Sequence, residues 1–322
     1  MIVITGATGL LGSHLIEKFT AEGIPLAGLC REGRASQLPG HVQARTGDLL
    51  DEPSLREAFE GADAVIHAGA LVSFNPRLKN QLYEVNVEGT RNVVNTCLQL
   101  GIPRLIHISS VAALGRRAGE ITNESSQGTG EDSSYGMSKY MAELEVFRGI
   151  EEGLGACIVN PSVILSASRP GQSSSALFDY VWEQRKFYVE GLLNYVDGRD
   201  VAEAVLRLFR QAPSCERFIL NAGEVPLQTF FSMIAERLQR TAPSVKVSPK
   251  LLWWVGFLEE LRGLISGREP MVTRESARLA TQQFRYDSRK AVERLGMAFH
   301  PLDESLDWCC EQYRRYVNAN NQ

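Results

Sequence analysis

Three glycines at positions 6, 9 and 12 constrain this chain more than any other feature. They follow a β-branched segment over residues 2–5 and precede an apolar pattern, starting at Leu10, that suits a helix packed on a sheet. In that setting Gly6 permits a tight turn, Gly9 lets the main chain approach a pyrophosphate, and Gly12 lets the helix pack on the strand. The helix N-terminus adds unpaired N–H groups that favour phosphates. The segment therefore predicts a dinucleotide-binding turn.

Strand and helix patterns alternate through the first half of the chain, which predicts an α/β fold with a Rossmann-type, doubly wound parallel sheet. The predicted strands are residues 2–5, 26–30, 42–46, 64–67, 105–109 and 156–160. The predicted helices are residues 10–22, 54–60, 81–100 and 134–152.

The alternation fails after Pro161, and the second half favours a different organisation. Helices are predicted near 177–185, over 200–210 and over 302–317, and a strand over 217–220 is expected to rejoin the sheet. We therefore expect a dinucleotide-binding domain over residues 1–165, to which about 195–221 returns. Residues 166–322 are expected to form a smaller, mostly helical and discontinuous substrate-binding lobe.

Charge, hydropathy and cysteine spacing indicate the cellular compartment and the kind of partner to expect. The 322 residues carry a formal net charge of −4, so no global positive field favours nucleic acid or an anionic membrane. No apolar run approaches the roughly 20 residues of a membrane-spanning helix, and the first strand begins too early for a signal peptide. The six cysteines form no CxxC pair and no metal-ligand spacing with histidine. We therefore expect a cytoplasmic protein with a small-molecule substrate, no metal, no nucleic-acid partner and no integral membrane segment.

A second motif, Tyr135 and Lys139, opens a predicted helix and places the two side chains on one helix face. A lysine ammonium beside a phenol should lower the tyrosine pKa from its ordinary value of about 10. That change would suit a general acid or base working near neutral pH. An isolated pair of this kind is more often an ordinary surface pair, and the glycine-rich start favours the catalytic interpretation.

Together these motifs resemble the extended short-chain dehydrogenases/reductases, the NAD-dependent epimerase/dehydratase superfamily. Within it, the chain looks like the dihydroflavonol-reductase-like or 3β-hydroxysteroid-dehydrogenase-like ketoreductases. The matching segments are residues 5–12, 47–49, 65–70, 86–90, 109–110 and the Tyr135/Lys139 pair.

The resemblance implies a role for each catalytic candidate. Tyr135 resembles the proton donor and acceptor, and Lys139 the residue that tunes it and holds the ribose hydroxyls. Ser110 resembles the hydroxyl that binds the substrate oxygen; strand alternation turns Ser109 to the other face. Asn86 resembles the asparagine that supports the lysine through water, and a helix-start cap is its alternative.

The resemblance also implies a set of cofactor contacts. They are Gly6, Thr8, Gly9, Leu10, Leu11, Gly12, Arg31, Asp48, Leu49, Ala68, Gly69, Ala70, Tyr135, Lys139, Pro161 and Val163. Among them, Asp48 and Leu49 are expected at the adenine. His67 is expected in the wall of the cofactor pocket rather than as an acid or base.

Cofactor choice is indicated by the end of the second strand. NAD-specific proteins place an acidic residue there, whereas this chain has Cys30 followed by Arg31, with Arg34 and Ser36 close behind. A guanidinium can bind a 2′-phosphate through two hydrogen bonds. Ordinary surface arginines are the alternative, and Glu32 partly offsets their charge. We expect NADP, with NAD remaining open.

The substrate is less constrained than the cofactor. Residues 111–113 lack the acid pair of family dehydratases, and residues 160–163 lack the R-x-x-N segment of sugar-nucleotide members. An apolar stretch over 251–258 is interpreted as core, with a substrate lid or a peripheral membrane contact as alternatives. We expect an NADP-dependent ketoreductase or alcohol dehydrogenase. An NAD-retaining sugar-nucleotide epimerase and a non-catalytic NADP-sensing protein remain as alternatives.

The resemblance further implies a homodimer through the helices near 81–100 and 134–152, packed against their twofold mates. Apolar side chains recur at helical spacing in both. They are Val85, Val93, Val94 and Leu98 in the first helix, and Met137, Met141 and Leu144 in the second.

Overall fold

The computed structural model describes residues 1–116, 119–126, 132–166, 174–212, 215–266, 270 and 272–320. In chain order the strands are β1 Ile2–Thr5, β2 Leu26–Cys30, β3 Gln43–Thr46, β4 Ala64–His67, β5 Leu105–Ile108, β6 Ile121–Thr122, β7 Ala156–Pro161, β8 Val163–Leu165, β9 Phe187–Tyr188, β10 Leu192–Asp197, β11 Glu216–Leu220, β12 Gly223–Pro226, β13 Val245–Lys246 and β14 Arg285–Tyr286. The α-helices are α1 Leu10–Ala21, α2 Glu52–Phe59, α3 Lys79–Tyr83, α4 Gly89–Gln99, α5 Ser134–Glu151, α6 Ser175–Trp182, α7 Gly198–Gln211, α8 Leu227–Leu238, α9 Pro249–Ser266, α10 Arg274–Ala280, α11 Arg289–Leu295 and α12 Leu302–Asn320.

The central sheet has seven parallel strands in the order β3-β2-β1-β4-β5-β7-β11. This confirms the predicted doubly wound fold, and the strand predicted over 217–220 rejoins the sheet as β11 beside β7. The strand order reverses between β1 and β4, so a crevice opens at their carboxyl ends. Ligands of such sheets bind at that crevice.

Both faces of the sheet are covered, which explains why its strands read as continuous apolar runs. Ile2 and Ile4 of β1 point into a core shared with α1 and α7, and Val3 points into a core shared with α2, α4 and α5. All three side chains are buried. Successive side chains of the strand therefore point into two separate cores, one on each face of the sheet.

The second half is mostly helical, as expected: α6, α8 and α12 pack around one apolar core. Short strands accompany the helices in three small sheets, β12-β10-β8, β13-β9 and β14-β6. Four of those strands have two residues each. Segments that short carry no alternation that a sequence pattern can show.

The helix predicted over 81–100 is interrupted. A π-helical turn, Glu84–Glu88, separates α3 from α4. Thr90 Oγ1, at the start of α4, donates to the Asn86 carbonyl oxygen inside the turn at 2.6 Å. The Asn86 side chain bonds both main-chain groups of Leu71, outside the helix. The interruption therefore coincides with the residue that ties this helix to the segment after β4.

The apolar stretch over 251–258 lies in α9, and the core interpretation is wrong for most of it. Leu251, Trp253, Trp254, Val255 and Leu258 are exposed. No helix within the described ranges is long and apolar enough to cross a membrane. The same residues contain no group of three or more His, Cys, Asp or Glu side chains placed to hold a metal ion.

The contact of α1 with the turn before it generates a stability prediction. A Cβ on Gly12 would overlap the Gly6 carbonyl oxygen and lie 2.6 Å from the Ala7 oxygen. We expect Gly12→Ala to lower the free energy of unfolding in urea by roughly 1–3 kcal/mol, because main chain must shift. Gly40→Ala is the matched control, since a Cβ there meets nothing within 4 Å. Equal stability of the two variants would contradict this account of the turn.

Candidate active site

The glycine-rich turn forms a cradle of main-chain atoms at the carboxyl end of β1. Gly6 has a φ of +69°, and a Cβ there would lie 2.7 Å from the main chain of Ala68 and Gly69. Helix α1 starts at Leu10 after Gly9, which supplies no side-chain cap. Its first N–H groups therefore lack a side-chain partner from the N-cap. Such a cradle, too tight for side chains and rich in N–H groups, fits a pyrophosphate.

The other predicted cofactor residues meet at the same edge of the sheet. Ala68, Gly69 and Ala70 follow β4, Asp48 and Leu49 follow β3, Arg31 follows β2, and Pro161 and Val163 lie in β7 and β8. Arg31 is exposed. A cavity of about 550 Å³ opens beside the turn. It is lined by Thr8, Gly9 and Leu10, and by Gln37, Pro39 and His41, which sequence analysis did not identify.

Ser110 and Tyr135 come together from two different elements. Ser110 follows β5, and its Oγ accepts from Ala112 N at 3.1 Å. Tyr135 lies in the first turn of α5, capped by Ser133 Oγ, which accepts from Gly136 N at 2.8 Å. The Ser110 side chain lies close enough to the Tyr135 phenol to influence its pKa. The two predicted hydroxyls are therefore neighbours.

The tyrosine pKa corrects one expectation. Burial raises the pKa of Tyr135 to about 12, and the neighbouring Ser110 side chain opposes that rise. The predicted lowering by Lys139 is wrong for this arrangement, since desolvation dominates and the ammonium is engaged elsewhere. Lys139 Nζ donates to the Ile108 carbonyl oxygen at 2.8 Å.

A buried polar network that the sequence analysis missed surrounds Lys139. Burial lowers the pKa of Lys139 to about 8, and the carboxylate of Glu143, one turn further along α5, opposes this. Glu143 accepts from Asn160 Nδ2 and from Arg217 Nη2, both at 2.6 Å. Asn160 Nδ2 also donates to the Ser110 carbonyl oxygen at 2.8 Å. The four-residue spacing of Lys139 and Glu143 was the only available signal.

His67 is held between two threonines. Thr5 Oγ1 accepts from Gly69 N at 3.0 Å, so its hydrogen is left for His67 Nδ1 at 2.7 Å. Thr90 donates to Asn86, so it accepts from His67 Nε2 at 3.0 Å. This direction of bonds assigns a neutral ring protonated on Nε2. Burial, aided by the charge of Lys139, lowers the pKa of His67 to about 3. His67 is therefore a buried link between Thr5 of β1 and Thr90 of α4.

Asn86 connects three segments beside the site. Its Oδ1 accepts from Leu71 N at 2.7 Å, and its Nδ2 donates to Leu71 O and to Ser138 Oγ, both at 2.9 Å. The alternative of a helix-start cap is wrong, because the residue lies inside the π-helical turn. Its bond to Ser138 ties it to the residue next to Lys139.

One side of the site is apolar and is fixed to the second half of the chain. The Phe74 ring meets Tyr135 edge-on, with centroids 6.0 Å apart. Arg77 of the same loop donates to the Gly263 carbonyl oxygen of α9 at 2.7 Å. Glu275 of α10 accepts from Ser134 N at 3.1 Å. The helices α9 and α10 are therefore attached on either side of Tyr135.

Comparisons with known proteins match most of the chain. A family model described as the NAD dependent epimerase/dehydratase family matches residues 2–223. The chain is similar to "Putative dihydroflavonol 4-reductase" of Synechocystis sp., 29% identical over 94% of this chain and 91% of that protein. It is also similar to sterol demethylase protein B of Methylococcus capsulatus, 28% identical over 92% of each. The crystal structure of gox2253 covers 98% of each chain with a TM-score of 0.84 and 30% identity.

The buried neutral His67 generates a pH prediction. Its folded-state pKa of about 3 lies below the ordinary value of 6.5, so the unfolded chain binds more protons between these values. Stability should therefore fall as the pH drops below 6.5, with a slope that approaches about 1.4 kcal/mol per pH unit from this one group. We expect His67→Asn to flatten the dependence measured by urea unfolding between about pH 6 and 4. His41→Asn, on the exposed surface, is the control. An unchanged slope in His67→Asn would refute the assignment.

Proposed function

The chain belongs to the NAD-dependent epimerase/dehydratase family, and from this premise we propose an NADP-dependent ketoreductase or alcohol dehydrogenase. The observation that carries the proposal is the placement of Tyr135 beside Ser110 at the carboxyl edge of the sheet, with Lys139 on the same helix as Tyr135. The raised pKa keeps the phenol protonated at neutral pH. A protonated phenol beside an orienting hydroxyl is suited to deliver a proton to a carbonyl oxygen.

The proposed cofactor fits the residues at the sheet edge. The main-chain cradle of Gly6, Gly9 and Gly12 would hold the pyrophosphate, and Arg31 would meet the 2′-phosphate. Lys139 would contact the ribose hydroxyls beside Tyr135. When bound, the nicotinamide supplies or accepts the hydride at the substrate carbon.

The chain's own residues would manage the proton. Ser110 Oγ accepts from Ala112 N, so its hydrogen is left to orient a substrate oxygen. Tyr135 would pass its proton to that oxygen and be left as a phenolate, which must be reprotonated before the next turnover. The Ser110 carbonyl is held by Asn160, and Asn160 by Glu143. Such fixed donors spare the reorganisation that water would need.

We propose an apolar substrate. Phe74 packs edge-on against Tyr135, and Val72 of the same loop is exposed. The 3₁₀ turn after Ser110, Val111–Ala113, carries no carboxylate, which argues against a dehydratase. The similarity to sterol demethylase protein B also fits an apolar substrate.

A sugar-nucleotide epimerase that retains NAD is the second candidate, favoured by the description of the family. It would carry tightly bound NAD and need no added cofactor. Mass spectrometry of the released cofactor, with an NADPH-oxidation screen over ketones, aldehydes and sugar nucleotides, separates the two. A non-catalytic sensor is disfavoured because Ser110, Tyr135 and Lys139 are all present.

We also propose a homodimer through α4 and α5. Support comes from Leu144, which is exposed, and from the partly exposed Met137 and Met141. Val93 and Val94 are fully buried within one chain, so they cannot serve as contacts. The homodimer and the cytoplasmic location both remain predictions.

The role of Tyr135 is tested by Tyr135→Phe. Loss of the positioned acid should lower turnover roughly 10²–10⁴-fold while the dissociation constant for NADPH stays unchanged. Tyr140→Phe, on the same helix, is the matched control. Turnover close to that of the wild type in Tyr135→Phe would exclude the proposed role.

The cofactor preference is tested by Arg31→Ala. Wild type should bind NADPH more tightly than NADH, and the variant should lose about 1.5–3 kcal/mol of NADPH binding with NADH affinity unchanged. Calorimetric titration of both cofactors measures this, with Arg56→Ala on the exposed side of α2 as the control for surface charge. If NADH bound more tightly to the wild type, the NADP assignment would be wrong.

A further inference from the structure

Helix α9 turns its large apolar side chains to solvent. We define its outer face by Leu251, Trp254, Val255, Leu258 and Leu261, which are 38% to 59% exposed. At about 100° per residue these five positions fall within an arc of about 120° of the helix surface. The arc also holds the exposed Arg262, which pairs with Glu259 at 3.0 Å. Exposed apolar side chains grouped on one face mark an interaction site more often than isolated ones do.

The opposite side of α9 is fixed against the protein, so the outer face cannot turn inward. A Cβ on Gly256 would lie 2.8 Å from the main chain of Thr273. Gly263 is buried, and its carbonyl oxygen accepts from Arg77. Glu260 lies on this inner side and binds Arg274. The helix is thus held with Gly256 and Glu260 toward the protein and with the outer face toward solvent.

Basic side chains border the outer face. Lys250 precedes Leu251, and β13, which precedes α9 in the chain, pairs with β9, which follows Lys186. Lys186 and Lys250 form no ion pair with any residue in the described ranges, whereas Lys246 is paired with Glu190 at 2.6 Å. Phe187 and Val245, which pair with each other across β9 and β13, are also exposed.

We propose that the outer face of α9 docks in the surface of a lipid bilayer that contains anionic lipid. Exposed indole and leucine side chains suit the boundary between headgroups and acyl chains, and unpaired lysines at its edge complement anionic headgroups. A second copy joined by a twofold axis would bring the same basic residues near one another, which is unfavourable. The chain's net charge of −4 gives no general attraction to anionic surfaces, so binding depends on this patch.

Docking is independent of the proposed reaction and can be measured without turnover. We expect the full chain to cosediment with vesicles of phosphatidylcholine and phosphatidylserine more strongly than with phosphatidylcholine alone. Leu258→Glu should weaken binding about tenfold or more. The leucine that would insert into the bilayer is lost, and the added carboxylate has the same sign of charge as the lipid headgroups. Val292→Glu, at an exposed apolar residue on α11, is the matched control. Lys250→Glu should weaken binding only to the anionic vesicles.

Tryptophan fluorescence and light scattering test the docking proposal further. The tryptophan emission of the wild type should shift to shorter wavelength on adding anionic vesicles, and Trp254→Phe should remove most of the shift. No sedimentation with either vesicle, or equal losses in Leu258→Glu and Val292→Glu, would overturn the proposal. A vesicle-free oligomer seen by light scattering and dissociated by Leu258→Glu would assign the face to a second copy instead. Titration of each variant with NADPH measures cofactor binding, so a failure of the proposed enzyme function can be told apart from a failure of bilayer docking.

Discussion

Direct contact between main-chain segments at the carboxyl ends of β1 and β4 is the constraint on which the rest of the site depends. Gly6 leaves no room for a side chain against Ala68 and Gly69, and Gly12 leaves none against the turn itself. Thr5, the last residue of β1, also stabilises this junction, because its Oγ1 bonds both Gly69 N and His67 Nδ1. A cradle of N–H groups can form there because no side chain intervenes.

Catalytic candidates from several elements are held together by charges that would be costly if unpaired. Glu143 is fully buried and is satisfied by Arg217 from β11 and Asn160 from β7. Removing one partner would strand a buried charge, which is more destabilising than the net gain from the pair. The network therefore fixes the geometry of Ser110 and Lys139 more than it adds stability.

Sequence predicted those features whose partners are close along the chain or whose pattern repeats. The seven-stranded sheet followed from buried runs such as β1, and the proximity of Ser110 and Tyr135 followed from ordered motifs. The bond of Asn86 to Leu71 and the packing of Glu143 against Asn160 depend on contacts between distant segments. The orientation of α9 was misjudged because apolar composition alone does not say which side of a helix meets the protein. The tyrosine pKa was misjudged because burial is a property of the fold.

The π-helical turn at Glu84–Glu88 has a consequence for how the length of the chain is read. Such a turn accommodates one residue more than an α-helical turn, so it shifts the phase of everything after it by about 100°. Leu82 in α3 and Val93 in α4 are both buried, and the turn between the two helices sets how their faces are oriented relative to each other. A relative with one residue fewer here would be expected to continue as a straight α-helix, without the turn that carries the Asn86 side chain toward Leu71. A one-residue gap in an alignment at Glu84–Glu88 would therefore separate relatives with the π-helical turn from relatives without it.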